Sequence, residues 1–450
     1  MGRLFGTDGM RGIANRDLSM QRAGELGLAL AELLRGEHPD SRPKVVIGKD
    51  TRLSGDMLEA AVTAGLCAGG ADVVLLGVIP TPAVAHLTVK EGAAAGIMIS
   101  ASHNPYEFNG IKIFGPQGYK LTDDEEDEIE RMLLDRDIPL IPVAAEQIGC
   151  CTRDETAADR YIEYIASTVP EGLHGMKVLV DCANGSASFT AEKLFRRLGA
   201  EATILCDAPD GTNINRDCGS THVENLASLM QSGKYALAVA FDGDADRCLA
   251  VDEKGNVVNG DQMIAAFARR MKAEGRLPGD AAVVTVMSSF GFFRFAKENG
   301  IHAETTKVGD RYVLENMLQN GYNIGGEQSG HIIFREYMPT GDGELSAIQL
   351  MRIMQESGEA LGTLAGRMPV TPQVLLNVEA DRDMKEALHE SPEMYALINR
   401  CEEELGDTGR ILIRPSGTEP LIRVMVEGEN EVQIRRLAEE LAAGIERYLK

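Results

Sequence analysis

Apolar runs of about four to seven residues, each closed by glycine or a polar turn, recur along the first three quarters of the chain. Between them the apolar positions change to helical spacing, so strands and helices alternate. Three stretches fall into register as an internal repeat. Each opens on a β run: "KVVIGKDTR" from Lys44, "KVLVDCANG" from Lys177 and "AVVTVMSSFG" from Ala282. Each continues through an amphipathic helix ending near glycine into a second strand: "GADVVLLG", "GAEATILC" and "GIHAETTK". A further helical stretch leads to a third strand and a polar loop: "AGIMISASHNP", "LAVAFDGDADR" and "YNIGGEQSGH". The pattern predicts βαβ units on mostly parallel sheets. The β runs do not alternate strictly, as expected for strands covered on both faces.

After about residue 370 the pattern changes. A strand "VLLNVEA", a helix, two strands within "GRILIRPSGTEPLIRVMVEGE" and a last helix to Leu449 predict a small α+β domain with antiparallel pairing. The fold class expected is therefore α/β: three tandem α/β domains with mixed, mostly parallel sheets, plus a C-terminal α+β domain, around a central cleft. The expected boundaries are 1–155, 156–257, 258–370 and 371–450. Four domains that each present one polar loop suggest a site at their junction.

A chain of 450 residues with 44% hydrophobic and 25% charged positions has ample material for several cores. Its formal net charge of -24 argues against a nucleic-acid partner and against an anionic lipid surface. An anionic small molecule stays admissible, because a local cluster of arginines can oppose the global field. The eight cysteines show no C-x-x-C spacing and read as reduced thiols. The start "MGRLFGTDGMRG" lacks an apolar leader core, and Ala60 to Leu87 is interrupted by Asp72, glycines and prolines. These features lead to the expectation of a cytoplasmic protein without a membrane span.

The loops carry the chemistry. "FDGDADR" sets Asp242, Asp244 and Asp246 at alternate positions after a strand, a spacing that lets three hard carboxylates converge on one divalent cation. It is not an EF-hand loop, since Arg247 stands where that loop requires glycine. "RPSGTEPLIRV" offers Arg414, Ser416, Gly417 and Thr418, a glycine turn with hydroxyls and a guanidinium suited to phosphate, with Arg423 on the next strand. "GGEQSGH" brings Glu327 and Ser329, groups that suit sugar hydroxyls or an amine, and His331, a group that titrates near neutrality. "TKVGDR" adds Lys307 and Arg311, and "TDGMRG" adds Arg11. Each of these has a plain reading as an ordinary turn or a solvated charge.

"SASHNP" is the least transparent of the loops. Ser102 before His103 reads either as a helix cap, with Pro105 in a first turn, or as a nucleophile. No G-x-S-x-G elbow supports acyl transfer. The equivalent loop of the next repeat holds the three aspartates, and a phosphorylated Ser102 facing them and one Mg²⁺ would be charge-balanced. Lys112, in "NGIK", lies near enough in sequence to serve as acid or base.

Taken together, "SASHNP", "DGDADR", "GEQSGH" and "RPSGTEP", in that order across essentially the whole chain, resemble the α-D-phosphohexomutase superfamily. "DGDADR", "GEQSGH", "FGTDGMRG" and "VGDRYV" look like its phosphoglucosamine mutase branch. The resemblance implies a phosphoserine at Ser102 that gives and regains phosphate, with Ser100 as its rival hydroxyl. It implies one Mg²⁺ on Ser102, Asp242, Asp244 and Asp246, and Arg247 steadying the phosphoserine. His103 and Arg11 join this catalytic set, with Lys112 and His331 for proton transfer. It further implies Lys307, Arg311, Glu327, Ser329, Arg414, Ser416, Gly417, Thr418 and Arg423 for substrate. The implied reaction interconverts D-glucosamine 6-phosphate and D-glucosamine 1-phosphate through a bound 1,6-bisphosphate, for amino-sugar nucleotide and cell-wall synthesis, with a mobile C-terminal domain opening the cleft. A phosphoglucomutase or phosphomannomutase is the nearest alternative. An inert sugar-phosphate-binding regulator and a metal-dependent phosphatase are alternatives of other kinds. The partner expected is a small phosphosugar, and a homodimer is compatible with the sequence.

Overall fold

The computed structural model describes residues 3–6, 8–37, 41–388, 390–416 and 420–449. Two compact units form, one from residues up to 287 with 300–366, the other from 288–299 with 367 onward.

The larger unit holds three sheets. The first contains β1 (Phe5–Gly6), β2 (Gly9–Ile13), β3 (Lys44–Lys49), β4 (Asp72–Val78), β5 (Ala95–Ile99), β6 (Phe108–Phe114) and β7 (Cys151–Arg153), in the order β1-β2-β6-β5-β3-β4-β7. The second contains β8 (Lys177–Asp181), β9 (Glu201–Leu205), β10 (Leu237–Phe241), β11 (Cys248–Val251) and β12 (Val257–Val258), in the order β12-β11-β10-β8-β9. The third contains β13 (Ala281–Thr285), β14 (His302–Thr306), β15 (Ile324–Gly326) and β16 (Ile332–Phe334), in the order β14-β13-β15-β16.

One motif underlies all three. Three parallel strands lie side by side with the first in the middle: β5-β3-β4, β10-β8-β9 and β15-β13-β14. The third parallel strand then turns back into an antiparallel neighbour, β6, β11 or β16. The loops read from the sequence as equivalent are these three return turns. Strands β5, β10 and β13 are buried at every position, which explains why their sequences do not alternate.

Helices cover the sheets where caps and periodicity place them. Asn259 and Gln262 cap the helix Gly260–Ala273 reciprocally, and Asp342 caps Gly343–Ser357 through the Leu345 amide. Met20–Glu37 and Gly55–Ala68 approach backbone to backbone. A Cβ on Gly65 would meet the Gly24 carbonyl at 2.0 Å, and one on Gly27 the Val62 carbonyl at 2.3 Å.

The smaller unit has an antiparallel sheet, β17 (Gln373–Glu379), β18 (Gly409–Pro415) and β19 (Leu421–Gly428), with β19 central. Val374, Val378, Ile422, Val424 and Val426 form a core with Met394, Leu437, Leu441 and Ile445 of the helices Pro392–Leu405 and Glu431–Tyr448. The single helix expected between β17 and β18 is two, Arg382–Ala387 and Pro392–Leu405. Ser391 and Pro392 supply a cap and an N1 residue, which begin a new helix and break the old one. Buried Glu427 ties residues 288–299 to this sheet: its Oε1 accepts from Ser289 Oγ at 2.6 Å and the Phe290 amide at 2.8 Å. Among the described residues no helix is long and apolar enough to cross a membrane.

Gly65→Ala forces the two helices apart and is expected to destabilise the protein by about 2 kcal/mol, read as a lower urea midpoint. Glu344 provides a pH test. Burial, with Asp342 adding to it, lifts its carboxyl to about 8 against the Thr190 hydrogen bond. In the unfolded chain such a group ionises near about 4.3. Between those values the folded state keeps a proton that the unfolded state has released, so stability falls as pH rises through the window. Glu344→Gln removes that slope, and its urea midpoint should gain on the parent's as pH is raised from about 5 to about 8.

Candidate active site

The return turn between β5 and β6 holds Ser102 with φ at 51°, in the left-handed region. No helix follows it, so Ser102 is not a helix cap. The turn is framed from below by a buried pair that sequence reasoning overlooks. Asp50, at the end of β3, accepts from Arg52 Nε at 2.8 Å and from Ser100 Oγ at 2.6 Å. Arg52 is fully buried and donates to the carbonyls of Ser102 and Asn104 at 2.8 Å, Pro105 at 2.5 Å and Phe108 at 3.0 Å. Asn215 Nδ2 reaches the Ser102 carbonyl at 2.9 Å from the second repeat. The Ser100 hydroxyl is spent on Asp50 and receives the Ser102 amide at 2.9 Å.

The Ser102 hydroxyl points the other way, donating to Asp242 Oδ2 at 2.5 Å. Asp242, Asp244 and Asp246 occupy the return turn between β10 and β11 and are 0%, 0% and 5% exposed. Each offers one carboxylate oxygen within 4.8 Å of the others. Asp244 Oδ1 and Asp246 Oδ1 are buried without a hydrogen-bond partner. Orphaned, buried carboxylate oxygens could hold a cation, and an all-oxygen set fits a hard dication such as Mg²⁺. Burial, then Asp246 and Asp244, push the Asp242 carboxyl well above its ordinary value.

Lys112, on β6, is 1% exposed and brings Nζ to 2.7 Å from Asp244, 3.0 Å from Asp8 and 3.5 Å from Asp246. Burial alone would discharge it; these carboxylates overcome that and raise its pKa, so it stays an ammonium. Asp8 is held well below the carboxylate range, because Lys112, Lys120 and Arg11 outweigh its burial. Lys120 bridges Asp8 and Asp310, 2.5 Å from each. Arg11 pairs with Asp8. Arg247 donates to His103 Nδ1 at 3.1 Å, and that ring lies 3.5 Å from Ser102 Oγ. Burial, Arg247 and Arg11 lower the imidazole to about 4, so His103 is neutral at pH 7.

The third return turn, between β15 and β16, holds His331 buried. Nδ1 is 3.6 Å from Asp246, and Nε2 accepts the Gly341 amide at 3.2 Å. Both ring nitrogens are engaged within the protein, which orients Asp246. Glu327 is half-buried and accepts the Gly309 amide at 3.0 Å, whereas Ser329 and Lys307 are exposed. Arg311 turns away from the aspartates. It is spent on Asp123, on Glu126 at 3.1 Å and on the Leu121 carbonyl at 2.5 Å.

In the smaller unit Arg414 and Arg423 face each other across β18 and β19. Burial, then Arg423, lower the pKa of Arg414, and its Nε is buried without a partner. Two adjacent guanidinium groups could seat an anion. Lys385, not singled out from the sequence, donates to the Ser416 carbonyl at 2.7 Å. Gly417 and Thr418 lie outside the described residues.

Known proteins match the whole chain. Phosphoglucomutase/phosphomannomutase family models fit it as alpha/beta/alpha domain I over residues 2–137, domain II over 159–255, domain III over 259–371 and the C-terminal domain over 375–444. Phosphoglucosamine mutase of Caldicellulosiruptor saccharolyticus is 51% identical over 100% of both chains, and that of Acetivibrio thermocellus 50% identical over 100% of both. The chain belongs to the phosphoglucosamine mutase family. Solved structures of the wider superfamily share the fold. A phosphoglucomutase/phosphomannomutase family protein from Burkholderia thailandensis has a TM-score of 0.81 at 24% identity, covering 98% of this chain and 97% of its own. N-acetylphosphoglucosamine mutase of Aspergillus fumigatus, solved with GlcNAc-6P and magnesium, has a TM-score of 0.69 at 18% identity, covering 98% of this chain and 95% of its own.

Asp50 and Arg52 stand in "GKDTR", at the end of the first strand of the first repeat. Arg52→Lys keeps the charge but loses the planar fork that holds four carbonyls. Turnover should fall about 10- to 100-fold, with a lower thermal midpoint, measured on purified protein.

Proposed function

We propose that this protein interconverts D-glucosamine 6-phosphate and D-glucosamine 1-phosphate, with Ser102 as the phosphate carrier. The observation that carries the reading is the Ser102 hydroxyl on Asp242, within a buried trio of aspartates braced by Lys112. Membership of the phosphoglucosamine mutase family supports the substrate.

In the first half-reaction the bond between phosphorus and Ser102 Oγ breaks as phosphorus bonds the free sugar hydroxyl. The hydroxyl proton passes to the seryl oxygen, leaving the 1,6-bisphosphate bound. After the sugar turns end for end, Ser102 takes the other phosphate by the reverse steps. Asp242, Asp244 and Asp246 would hold Mg²⁺, which neutralises charge on the transferred phosphoryl group. Lys112, fixed as a cation, would add to the stabilisation of the same charge. Neutral His103, beside Ser102 Oγ, keeps Arg247 directed at the serine. Glu327 and Ser329 read the sugar, and Arg414, Ser416 and Arg423 seat the phosphate that is not reacting. An inert regulator has no use for a hydroxyl and a lysine placed on a trio of aspartates.

Purified protein should carry a partial phosphate, mapped by mass spectrometry to Ser102 and lost in Ser102→Ala together with turnover. Ser100→Ala should keep the phosphate on Ser102. Phosphate that maps to Ser100 would overturn the assignment. Turnover should vanish on chelation and return with Mg²⁺. In coupled assays with the 6-phosphates of glucosamine, glucose and mannose, glucosamine 6-phosphate should be preferred. A wide margin for glucose 6-phosphate would make the protein a phosphoglucomutase, and phosphate released without any sugar 1-phosphate would make it a phosphatase. Arg414→Ala should raise KM about tenfold with less effect on kcat, because its seat is the bystander phosphate.

A further inference from the structure

The end of β9 carries a second chemical cluster that the proposed reaction does not use. Cys206 follows Leu205 with φ at 51° and is half-buried, while Cys218 is 2% exposed. Both sulfurs lie within 4.8 Å of one another and of an Asp181 carboxylate oxygen. Asp181 spends one oxygen on the Ala183 amide at 2.8 Å and the other on the Gly219 amide at 2.9 Å. Asp181 also hydrogen-bonds Cys206, Asn184 Nδ2 donates to Cys218 Sγ at 3.7 Å, and the two sulfurs hydrogen-bond each other.

We propose that Cys206 and Cys218 form a reversible disulfide, a modification site that answers to two-electron oxidants of the peroxide class. The hydrogen bond from Cys218 lowers the Cys206 thiol below its ordinary value, against burial and Asp181, while the Cys218 thiol is pushed up by that same bond and by burial. Cys206 is therefore the attacking sulfur and Cys218 the resolving one. Burial raises the thiols of Cys67, Cys151, Cys182, Cys248 and Cys401 instead.

In the first step Cys206 thiolate attacks hydrogen peroxide. The O–O bond breaks, Cys206 becomes a sulfenic acid, and hydroxide leaves as water with the thiol proton. In the second, Cys218 sulfur attacks Cys206 sulfur. The S–O bond breaks, the S–S bond forms, and the Cys218 proton leaves with the oxygen as a second water. Two thiols and one peroxide give one disulfide and two waters, and a dithiol reductant reverses the change. The segment spanned by the bond carries Asn215, which holds the Ser102 carbonyl, and Gly211, whose carbonyl accepts the Leu53 amide at 2.8 Å. Oxidation would therefore staple the loop that braces the Ser102 turn.

The test treats the full-length protein with a small excess of hydrogen peroxide, alkylates it, and digests it with trypsin without reduction. Cleavage at Arg197, Arg216 and Lys234 releases one peptide with Cys206 and one with Cys218, each with no other cysteine. The two should appear joined after peroxide, separate after dithiothreitol, and never joined in Cys206→Ser. The wild-type chain alone carries the readout, so the test stands even where a variant fails to fold. Both peptides alkylated singly, at a dose that oxidises exposed Cys150 and Cys151, would overturn the proposal. So would zinc held at one per chain and released when these two cysteines are alkylated, because the pair would then be a metal site.

Discussion

A buried ammonium held among carboxylates is the contact on which the rest of the larger unit depends. Lys112 reaches the site from β6 of the first sheet, and Asp244 and Asp246 from the second. His331, from the third, closes on Asp246. An uncompensated charge at this depth would cost several kcal/mol, so each sheet is constrained by the ions of the others. The repeat makes this meeting feasible. Each sheet turns back after its third parallel strand, and the turn is where a side chain can leave a fully buried strand without orphaning its backbone.

Much of this was legible in the sequence. The βαβ rhythm, the three equivalent loops and the antiparallel tail follow from the spacing of apolar runs and the glycines that close them. The aspartate trio was legible because three carboxylates at alternate positions after a buried strand have few structural uses. Other features lay beyond a linear reading. The partners of Arg311, which are Leu121, Asp123 and Glu126, lie far away in the chain, and only tertiary packing brings them to it. The surroundings of His331, with Gly341 at one ring nitrogen and Asp246 near the other, are likewise set by tertiary packing. The Asp50–Arg52 pair lay beyond it too, because nothing in one dimension tells a buried ion pair from an exposed one.

The smaller unit follows a different principle. Its loop chemistry comes from like charges, Arg414 and Arg423 set side by side in register. The larger unit gathers acid and pairs it with a buried ammonium; the smaller sets base beside base.

The left-handed backbone at Ser102 has a consequence for which alcohol the chain can use. A threonine hydroxyl could donate to the same aspartate. Its extra methyl group, however, branches at Cβ, and β-branched residues are strongly disfavoured at positive φ. Gly243 packs against the Ser102 carbonyl so closely that a Cβ there would come within 2.6 Å of it, which leaves the turn little room to relax. The choice of serine over threonine is therefore made by the main chain rather than by the reaction. A lineage that kept the chemistry but lost this turn would be free to exchange them.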